Sequence, residues 1–299
     1  METIPKIIFI VPYRDRAAEK LHFSIYMKYI MEDYNKNDYE IYYSYQMDSR
    51  PFNRGATKNI GFLVMKNKYP NDYKNITFVF NDIDSVPIKK NLFNYITTSG
   101  VVKHFYGFTF TLGGIFSIVG SDFEKCNGFP NNWGWGLEDN AMNDRVLLNE
   151  FIINREQFCP RNTKAVLSLF DSPERLINNR EPENYLKANL NDNLNSLHEI
   201  NYIIVPNNES STENNTLTSD NTLTSDNTIT SDNTIKNIIK VSAIEQKEYM
   251  INISNFTTFV NPANEIFYTQ NTFYNSTLQP KVHETREHRK RWGLQANFL

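Results

Sequence analysis

Residues 75–84 read NITFVFNDID, an apolar strand pattern that runs directly into two aspartates. Two other strand patterns precede it: a continuous apolar run at 7–11 and an alternating, aromatic-rich run at 39–46. Helical patterns separate the three strands, at about residues 17–34 and at 53–66. This order of strand, helix, strand, helix and strand predicts a doubly wound α/β sheet.

The composition is that of a globular protein and excludes several classes. Of 299 residues, 40% are hydrophobic and 22% are charged, and the formal charge is −3. A dedicated nucleic-acid binder usually carries a basic excess, so no nucleic-acid partner is expected. The run at 7–11 is too short for a signal peptide, and no other apolar run reaches the roughly 18 residues of a membrane span. Because Cys126 and Cys159 are the only cysteines, we expect no disulfide framework and a soluble, cytoplasmic protein.

The motif Asp82-Ile83-Asp84 lies where the strand at 75–81 ends. Residues i and i+2 of an extended backbone point to the same side, so both carboxylates face one place. In an open α/β sheet that place is the ligand-binding edge, and two carboxylates there can hold a divalent cation. The alternative is that the two aspartates only cap the strand.

A second carboxylate pair, Glu138-Asp139, follows the tryptophan- and glycine-rich stretch at 131–136. We predict that this stretch is a mobile loop and that a carboxylate beside it, once shielded from water, serves as a general base. The alternative is that both residues only complement a helix dipole. Three arginines that follow predicted strands are candidate phosphate ligands: Arg14, Arg16 and Arg54.

Four segments, taken in order, resemble the β-1,4-galactosyltransferases of glycosyltransferase family 7. They are PYRDR at 12–16, FNRG at 52–55, FVFNDID at 78–84 and NGFPNNWGWGLED at 127–139. A further match is DNLNSL at 192–197. Each short motif alone is weak, but the tryptophan- and glycine-rich one is specific and the ordered set is strong.

The resemblance implies a GT-A fold and an inverting transfer from a UDP-sugar to a glycan hydroxyl, assisted by Mn²⁺. By motif position, Asp84 is the direct metal ligand and Asp82 contacts the ribose or the metal region. Asp139 is the general base, and Glu138 contacts sugar hydroxyls beside it. The donor site implied by the motifs comprises Pro12, Tyr13, Arg14, Arg16, Phe52, Arg54, Asp82, Ile83, Asp84, Thr111, Gly114 and Trp135.

The chain departs from the family pattern at the metal site. The family has a histidine downstream of the catalytic carboxylates, and no histidine lies between residues 105 and 197 here. We expect Asp171 to replace it, because the segment FDSPE at 170–174 occupies roughly that place. An oxygen ligand there favours Mn²⁺ or Mg²⁺ over softer ions. Asn140-Ala141 also interrupts the family's acidic run, which bears on acceptor recognition.

A further departure concerns the donor sugar. Thr111 stands two residues before Gly113-Gly114, where galactose-specific family members carry a tyrosine. The smaller side chain leaves room beside the C2 substituent of the sugar. We therefore expect the protein to accept UDP-N-acetylhexosamine as well as UDP-galactose.

The sequence predicts one catalytic domain with an insertion. The hexapeptide NTLTSD recurs within residues 215–235, and a solvated loop is favoured there over a turn of β-solenoid. A GT-A domain is predicted at 1–280 and a basic tail at 281–299. Within the domain, the predicted parts are a nucleotide-sugar half at 1–110, an acceptor half at 111–205, a repeat loop at 206–236 and terminal strands at 237–280.

Two other functions remain open on the sequence. A degenerate family member that binds glycans or nucleotide sugars needs no base, although the retained Asp82, Asp84, Glu138 and Asp139 speak against that alternative. A polymerising hexosaminyltransferase, resembling the chondroitin-synthase modules, would keep the chemistry but lengthen a chain. The identity of the acceptor does not follow from the sequence.

Overall fold

The structure of the protein, a computed structural model, describes residues 3–169, 174–178, 191–207 and 247–271. The helices within these ranges are α1 (Ala17–Ile30), α2 (Arg54–Lys68), α3 (Gly120–Lys125) and α4 (Glu138–Leu148). The strands are β1 (Ile7–Tyr13), β2 (Tyr39–Gln46), β3 (Thr77–Asn81), β4 (Ser85–Pro87), β5 (Val101–Gly107), β6 (Ile115–Val119), β7 (Ile152–Asn154), β8 (Cys159–Pro160), β9 (Val166–Ser168), β10 (Glu174–Asn178), β11 (His198–Pro206), β12 (Glu248–Thr257) and β13 (Phe267–Asn271).

Strands β1, β2 and β3 form the parallel centre of a mixed sheet. Within the described residues its order is β11-β12-β2-β1-β3-β6-β5-β7, with β8 paired to β5. Strand β1 is parallel to β2 and β3, whereas β6 is antiparallel to β3. The α/β prediction is therefore confirmed for the first three strands and the two helices between them.

The apolar run of β1 is buried on both faces of the sheet, as a continuous apolar strand requires. Phe9 packs in the core beneath α1, and Ile10 packs in the core beneath α2. Helix α2 approaches the sheet closely at Gly61, where a Cβ atom would lie 2.6 Å from Ile10 Cγ2. The close approach fixes the start of α2, and with it Arg54, at the edge of the sheet.

Helix α1 ends at Ile30 and is therefore shorter than the helix predicted at 17–34, and a different face of it is buried. The helical pattern places Leu21, Ile25, Tyr29 and Ile30 on one apolar face, but only Ile30 is buried and the other three are about half exposed. Phe23 and Met27 are buried instead. The helix has apolar residues on both sides, so the sequence alone does not specify which side meets the sheet.

Two small antiparallel sheets flank the ends of the central strands. One joins β4 to β9, and the other joins β10 to β13. The tryptophan- and glycine-rich loop is attached to the second through a bridge between Trp135 and Ile177. This bridge places the loop beside the carboxyl end of the main sheet, and its predicted mobility stays a prediction.

Several predicted segments lie outside the described residues, among them the repeat within 215–235, the first part of the terminal strands predicted at 237–280 and the tail at 281–299. No helix of the described part is long and apolar enough to cross a membrane. In that part both cysteines are free thiols. The cytoplasmic location and the domain boundaries stay predictions.

Candidate active site

A pocket lies at the carboxyl ends of β1 and β3, the edge at which open α/β sheets bind ligands. Nine of the predicted donor-site residues line it: Pro12, Arg14, Arg16, Phe52, Arg54, Asp82, Ile83, Asp84 and Trp135. The lining is completed by Gly134, Arg175 and Leu176. Residues separated by more than 120 positions in the chain thus meet in one pocket.

Three predicted donor residues do not line the pocket. Tyr13 is 9% exposed, and its ring packs 4.9 Å from the ring of Tyr45, because neighbouring residues of a strand point to opposite faces. Thr111 is buried on the loop between β5 and β6. Gly114 acts through its backbone, since its carbonyl accepts a hydrogen bond of 2.8 Å from the Asp82 N–H.

Arg54, the first residue of α2, connects the two carboxylate motifs. Its Nη2 lies 2.5 Å from Asp82 Oδ1, and its Nη1 lies 3.1 Å from Glu138 Oε1, in an ion pair outside hydrogen-bond geometry. Burial alone would lower the pKa of Arg54, but the charges of Asp82, Glu138 and Asp139 outweigh it and raise the pKa. Arg54 therefore stays charged and holds the two motifs together.

Lys58 lies one helical turn after Arg54 and forms an ion pair with Asp139. The Nζ–Oδ1 distance is 2.7 Å, and the Lys58 side chain is only 2% exposed. Burial raises the pKa of Asp139 to about 6, and Glu138 adds to the shift, although Lys58 and Arg54 oppose it. A carboxyl that titrates near neutral pH is suited to accepting a proton from a hydroxyl.

The backbone around Asp139 fixes its position. Leu137, just before α4, has a left-handed φ of 65°, which turns the chain from the loop into the helix. The Leu112 N–H donates a hydrogen bond of 2.9 Å to the Asp139 carbonyl. A Cβ atom at Gly113 would collide with the Asp139 carboxylate, so a larger residue there would displace that carboxylate.

Asp84 faces the pocket beside Asp82 and is the better candidate for a metal ligand. Loss of water contact raises its pKa, the charge of Asp82 raises it further, and a hydrogen bond of 2.8 Å from Ser85 Oγ opposes the shift. A divalent cation would relieve this repulsion, and both residues offer oxygen ligands. The described residues contain no group of three acidic, histidine or cysteine side chains suited to a metal, and Asp171 lies outside them.

Arg175, on β10, meets Trp135 at the mouth of the pocket. Its guanidinium carbon lies 4.3 Å from the centre of the Trp135 ring. The backbone N–H of Trp135 donates a 2.8 Å hydrogen bond to the Leu176 carbonyl. Burial lowers the pKa of Arg175 to about 10, and the positive charges of Arg54, Arg161 and Arg16 contribute to the shift. An anion in the pocket would relieve this repulsion.

Two stacked aromatic rings stand on the loop that leads to Gly113. Phe108 and Phe110 lie 5.3 Å apart, at 36% and 38% exposure, and the Arg161 guanidinium lies 5.2 Å from the Phe108 ring centre. The pair lies on the loop whose next residues contact Asp139.

Sequence reasoning missed Lys58, Arg175 and the phenylalanine pair. For Lys58 a signal existed, because it follows Arg54 by four residues and so shares its helix face. Arg175 follows directly on the segment at 170–174, where a substitute for the missing histidine was expected. Phe108 and Phe110 alternate like strand residues, and nothing in that pattern distinguishes a loop from a strand.

Two family models match adjoining parts of the chain. One, described as the N-terminal region of glycosyl transferase group 7, matches residues 2–96. The other, described as the N-terminal domain of galactosyltransferase, matches residues 99–167. The matched ranges contain every pocket residue described above except Arg175 and Leu176.

The curated relatives are galactosyltransferases. The chain is 27% identical to the xylosylprotein 4-beta-galactosyltransferase of Caenorhabditis elegans, over 67% of this chain and 71% of that one. It is 31% identical to human beta-1,4-galactosyltransferase 1, over 50% of this chain and 39% of that one. The chain therefore spans less than half the length of the human relative.

A solved structure shares the fold. The catalytic domain of Drosophila beta-1,4-galactosyltransferase 7, crystallised with xylobiose, superposes with a TM-score of 0.57 at 21% identity, over 84% of this chain and 94% of that one. The expected GT-A fold class is thereby confirmed. A mutant of the same fly protein has been crystallised with manganese, UDP-Gal and xylobiose, and that structure superposes with a TM-score of 0.47 over 56% of this chain.

Proposed function

Because the chain belongs to glycosyltransferase family 7, we propose that it is an inverting, metal-dependent transferase acting on a UDP-sugar and a glycan hydroxyl. The transferred sugar is a hexose or an N-acetylhexosamine. One observation carries the proposal: a partly buried carboxylate that titrates near pH 6, Asp139, is linked through Lys58 and Arg54 to a pocket lined with arginines and aspartates. A binding protein has no use for a base in that position.

The donor occupies the pocket at the carboxyl ends of β1 and β3. The nucleoside lies against Pro12 and Phe52, and the diphosphate lies among the arginines that line the pocket. Arginine guanidinium groups suit phosphate oxygens because they donate two parallel hydrogen bonds. The indole of Trp135, which is 43% exposed, covers the sugar and excludes water from it.

Asp84 would hold the metal ion, with Asp82 beside it. When bound, Mn²⁺ or Mg²⁺ supplies positive charge that stabilises the departing diphosphate. Asp82 also keeps its ion pair with Arg54, so the two aspartates have different partners. The repulsion that raises the pKa of Asp84 disfavours two adjacent carboxylates without a cation.

Asp139 removes the proton of the acceptor hydroxyl. The hydroxyl oxygen then bonds to the anomeric carbon from the face opposite the diphosphate, and the bond between that carbon and the phosphate oxygen breaks. The bonding pair leaves with UDP, and the proton stays on Asp139 until water removes it. One base and one displacement invert the anomeric centre, and Glu138, buried beside Asp139, is placed to bind sugar hydroxyls.

The acceptor approaches over the stacked pair Phe108 and Phe110. Their exposed faces offer an apolar platform of the kind that packs against the C–H face of a pyranose ring. The nematode relative is named for a xylosylated protein acceptor, so a β-xyloside is the first acceptor to test.

The experiment is a UDP-release assay of the full chain. Donors are UDP-galactose, UDP-N-acetylgalactosamine and UDP-glucose, with a xyloside, a glucoside or an N-acetylglucosaminide as acceptor, each with Mn²⁺, with Mg²⁺ or with EDTA. We expect acceptor-dependent UDP release that requires a divalent ion, and a β-linked product. Binding of UDP-sugar without release from any pair favours the non-catalytic alternative, and products longer than one added sugar favour the polymerising one.

Thr111→Tyr is expected to narrow donor choice. The wild type should use UDP-N-acetylgalactosamine and UDP-galactose with similar kcat/KM, because Thr111 is small. The larger ring should reduce the kcat/KM ratio of N-acetylated to plain donor by about tenfold. Thr109→Tyr is the matched control, since Thr109 is exposed on the same loop. A strict preference of the wild type for the unsubstituted sugar contradicts the prediction.

Arg175→Gln is expected to weaken diphosphate binding. Loss of one charge-assisted contact should lower kcat/KM for the UDP-sugar by about 10- to 100-fold. Calorimetry with UDP and with uridine provides the control, because only UDP carries the diphosphate. Equal losses for the two ligands would indicate that Arg175 merely supports Trp135.

A further inference from the structure

A lysine is buried against the carboxylate that serves as the base. Lys58 is 1% exposed as a residue, and its Nζ lies 2.7 Å from Asp139 Oδ1 and 4.5 Å from the centre of the Phe129 ring. Lysine is rarely buried to this extent unless it is paired. The Phe129 ring covers the ammonium group, so the Lys58 side of the pair is shielded from water.

The ion pair is one of two between helix α2 and the start of helix α4. Helix α2 presents Arg54 and Lys58 one turn apart, and α4 opens with Glu138 and Asp139. Arg54 pairs with the first carboxylate and Lys58 with the second. The charged groups that influence Asp139 are therefore Lys58 and Arg54 from α2, Glu138 from α4 and Asp82 from the end of β3.

We infer that Lys58 is a positioning residue for the proposed transfer: it fixes one oxygen of the Asp139 carboxylate, keeps that carboxylate ionised and so presents the other oxygen to the acceptor hydroxyl. The inference rests on the proposed function. Lys58 holds Oδ1, whereas Oδ2 lies on the side of the loop at Gly113. Asp139 keeps 19% side-chain exposure, which leaves room for an acceptor to reach it.

The ion pair also bears on the fate of the proton. While Asp139 is ionised, the ammonium group of Lys58 balances its charge. After Asp139 has accepted the acceptor's proton, Lys58 faces a neutral acid in a site of low polarity, and this disfavours the protonated state. The proton then passes to water and the ion pair forms again, with no other reactant required.

Lys58→Met tests the role, because methionine keeps the length of the side chain and removes its charge. The acid limb of the kcat/KM profile should lie near pH 6 in the wild type, where the pKa of Asp139 lies. Loss of an adjacent opposite charge should move this limb up by at least one pH unit. Activity at pH 6 should then fall at least about fivefold and recover towards pH 8.5. Lys58→Arg should restore the wild-type limb.

The matched control is Lys66→Met. Lys66 lies two turns further along α2 and pairs with Glu124 away from the pocket, at 39% exposure. Its profile should coincide with that of the wild type. If methionine at position 58 prevents folding, Lys58→Gln retains a hydrogen-bond donor without the charge and should give the same upward movement of the limb.

A second readout is independent of turnover. Carbon-13 NMR of aspartate-labelled protein, with the Asp139 signal assigned from Asp139→Asn, follows the titration of that carboxyl directly. The inference expects a higher pKa of Asp139 in the Lys58→Met protein than in the wild type, and equal values reject it. An active Lys58→Met enzyme with an unmoved acid limb also rejects it. A wild type that releases no UDP from any donor rejects the transferase, while the NMR titration still reports on the ion pair.

Discussion

Asp139→Asn is expected to lower kcat by about 10²- to 10⁴-fold, the range that a general base contributes. Asparagine keeps the shape of the side chain but cannot take up the acceptor's proton. The acid limb near pH 6 should vanish with the carboxyl group that causes it. Affinity for UDP should stay within about threefold of the wild type, because Asp139 does not line the donor pocket.

The comparison for this variant is Asp144→Asn. Asp144 lies five residues further along α4, and burial raises the pKa of its carboxyl too. The substitution is the same and the helix is the same, but Asp144 is hydrogen-bonded to its neighbour Asn143, whereas Asp139 pairs with Lys58. Its kcat should match that of the wild type. If Asp139→Asn retains a third of the wild-type kcat, another group is the base; if it loses UDP binding as well, Asp139 has a structural role.

Much of the donor side of the site could be predicted from the sequence, because it depends on local pattern. The strand at 75–81 is continuous and apolar, so its end was placed correctly, and the two aspartates that follow it reach the ligand edge. Arg14, Arg16 and Arg54 were predicted for the same reason, since each follows a strand. The location of a residue at the end of a strand depends mainly on the order of the strands, which the local pattern indicates.

The remaining features depend on contacts between distant segments. The ion pair of Lys58 and Asp139 joins residues 81 positions apart, and no spacing in the chain indicates it. The buried side of α1 could not be chosen because Leu21 and Phe23 are both apolar. Tyr13 shows a limit of motif transfer, since it belongs to the matched segment but points into the core.

Arg54→Met is expected to be the most destabilising of these substitutions. It should lower the free energy of unfolding by about 3–5 kcal/mol at pH 8 in EDTA. Arg54 pairs with Asp82 at 2.5 Å and with Glu138 at 3.1 Å. Without it, Asp82 and Glu138 lose the guanidinium group with which both pair, in a largely shielded site. The cost comes from carboxylates left without a partner, not from lost packing, because methionine fills much of the same space.

The sign of the pH dependence follows from the proton balance. The pKa of Asp139 is about 6 in the folded state against 3.8 ordinarily, so between those values the folded protein binds more protons than the unfolded chain. Its contribution to stability therefore falls as pH rises through that window. Because Arg54 lowers the pKa of Asp139, its loss raises that pKa further and extends the window above pH 6. The deficit of Arg54→Met should accordingly be larger at pH 8 than at pH 5.

Denaturant unfolding at both pH values measures this deficit, and Arg14→Met is the matched control. Arg14 lines the same pocket, but its ion-pair partner Asp15 is 78% exposed, and such pairs contribute at most about 1 kcal/mol. Similar losses for the two variants would mean that the carboxylates do not depend on Arg54. A deficit of Arg54→Met that is larger at pH 5 than at pH 8 would mean that lost packing, and not unpaired negative charge, causes the instability.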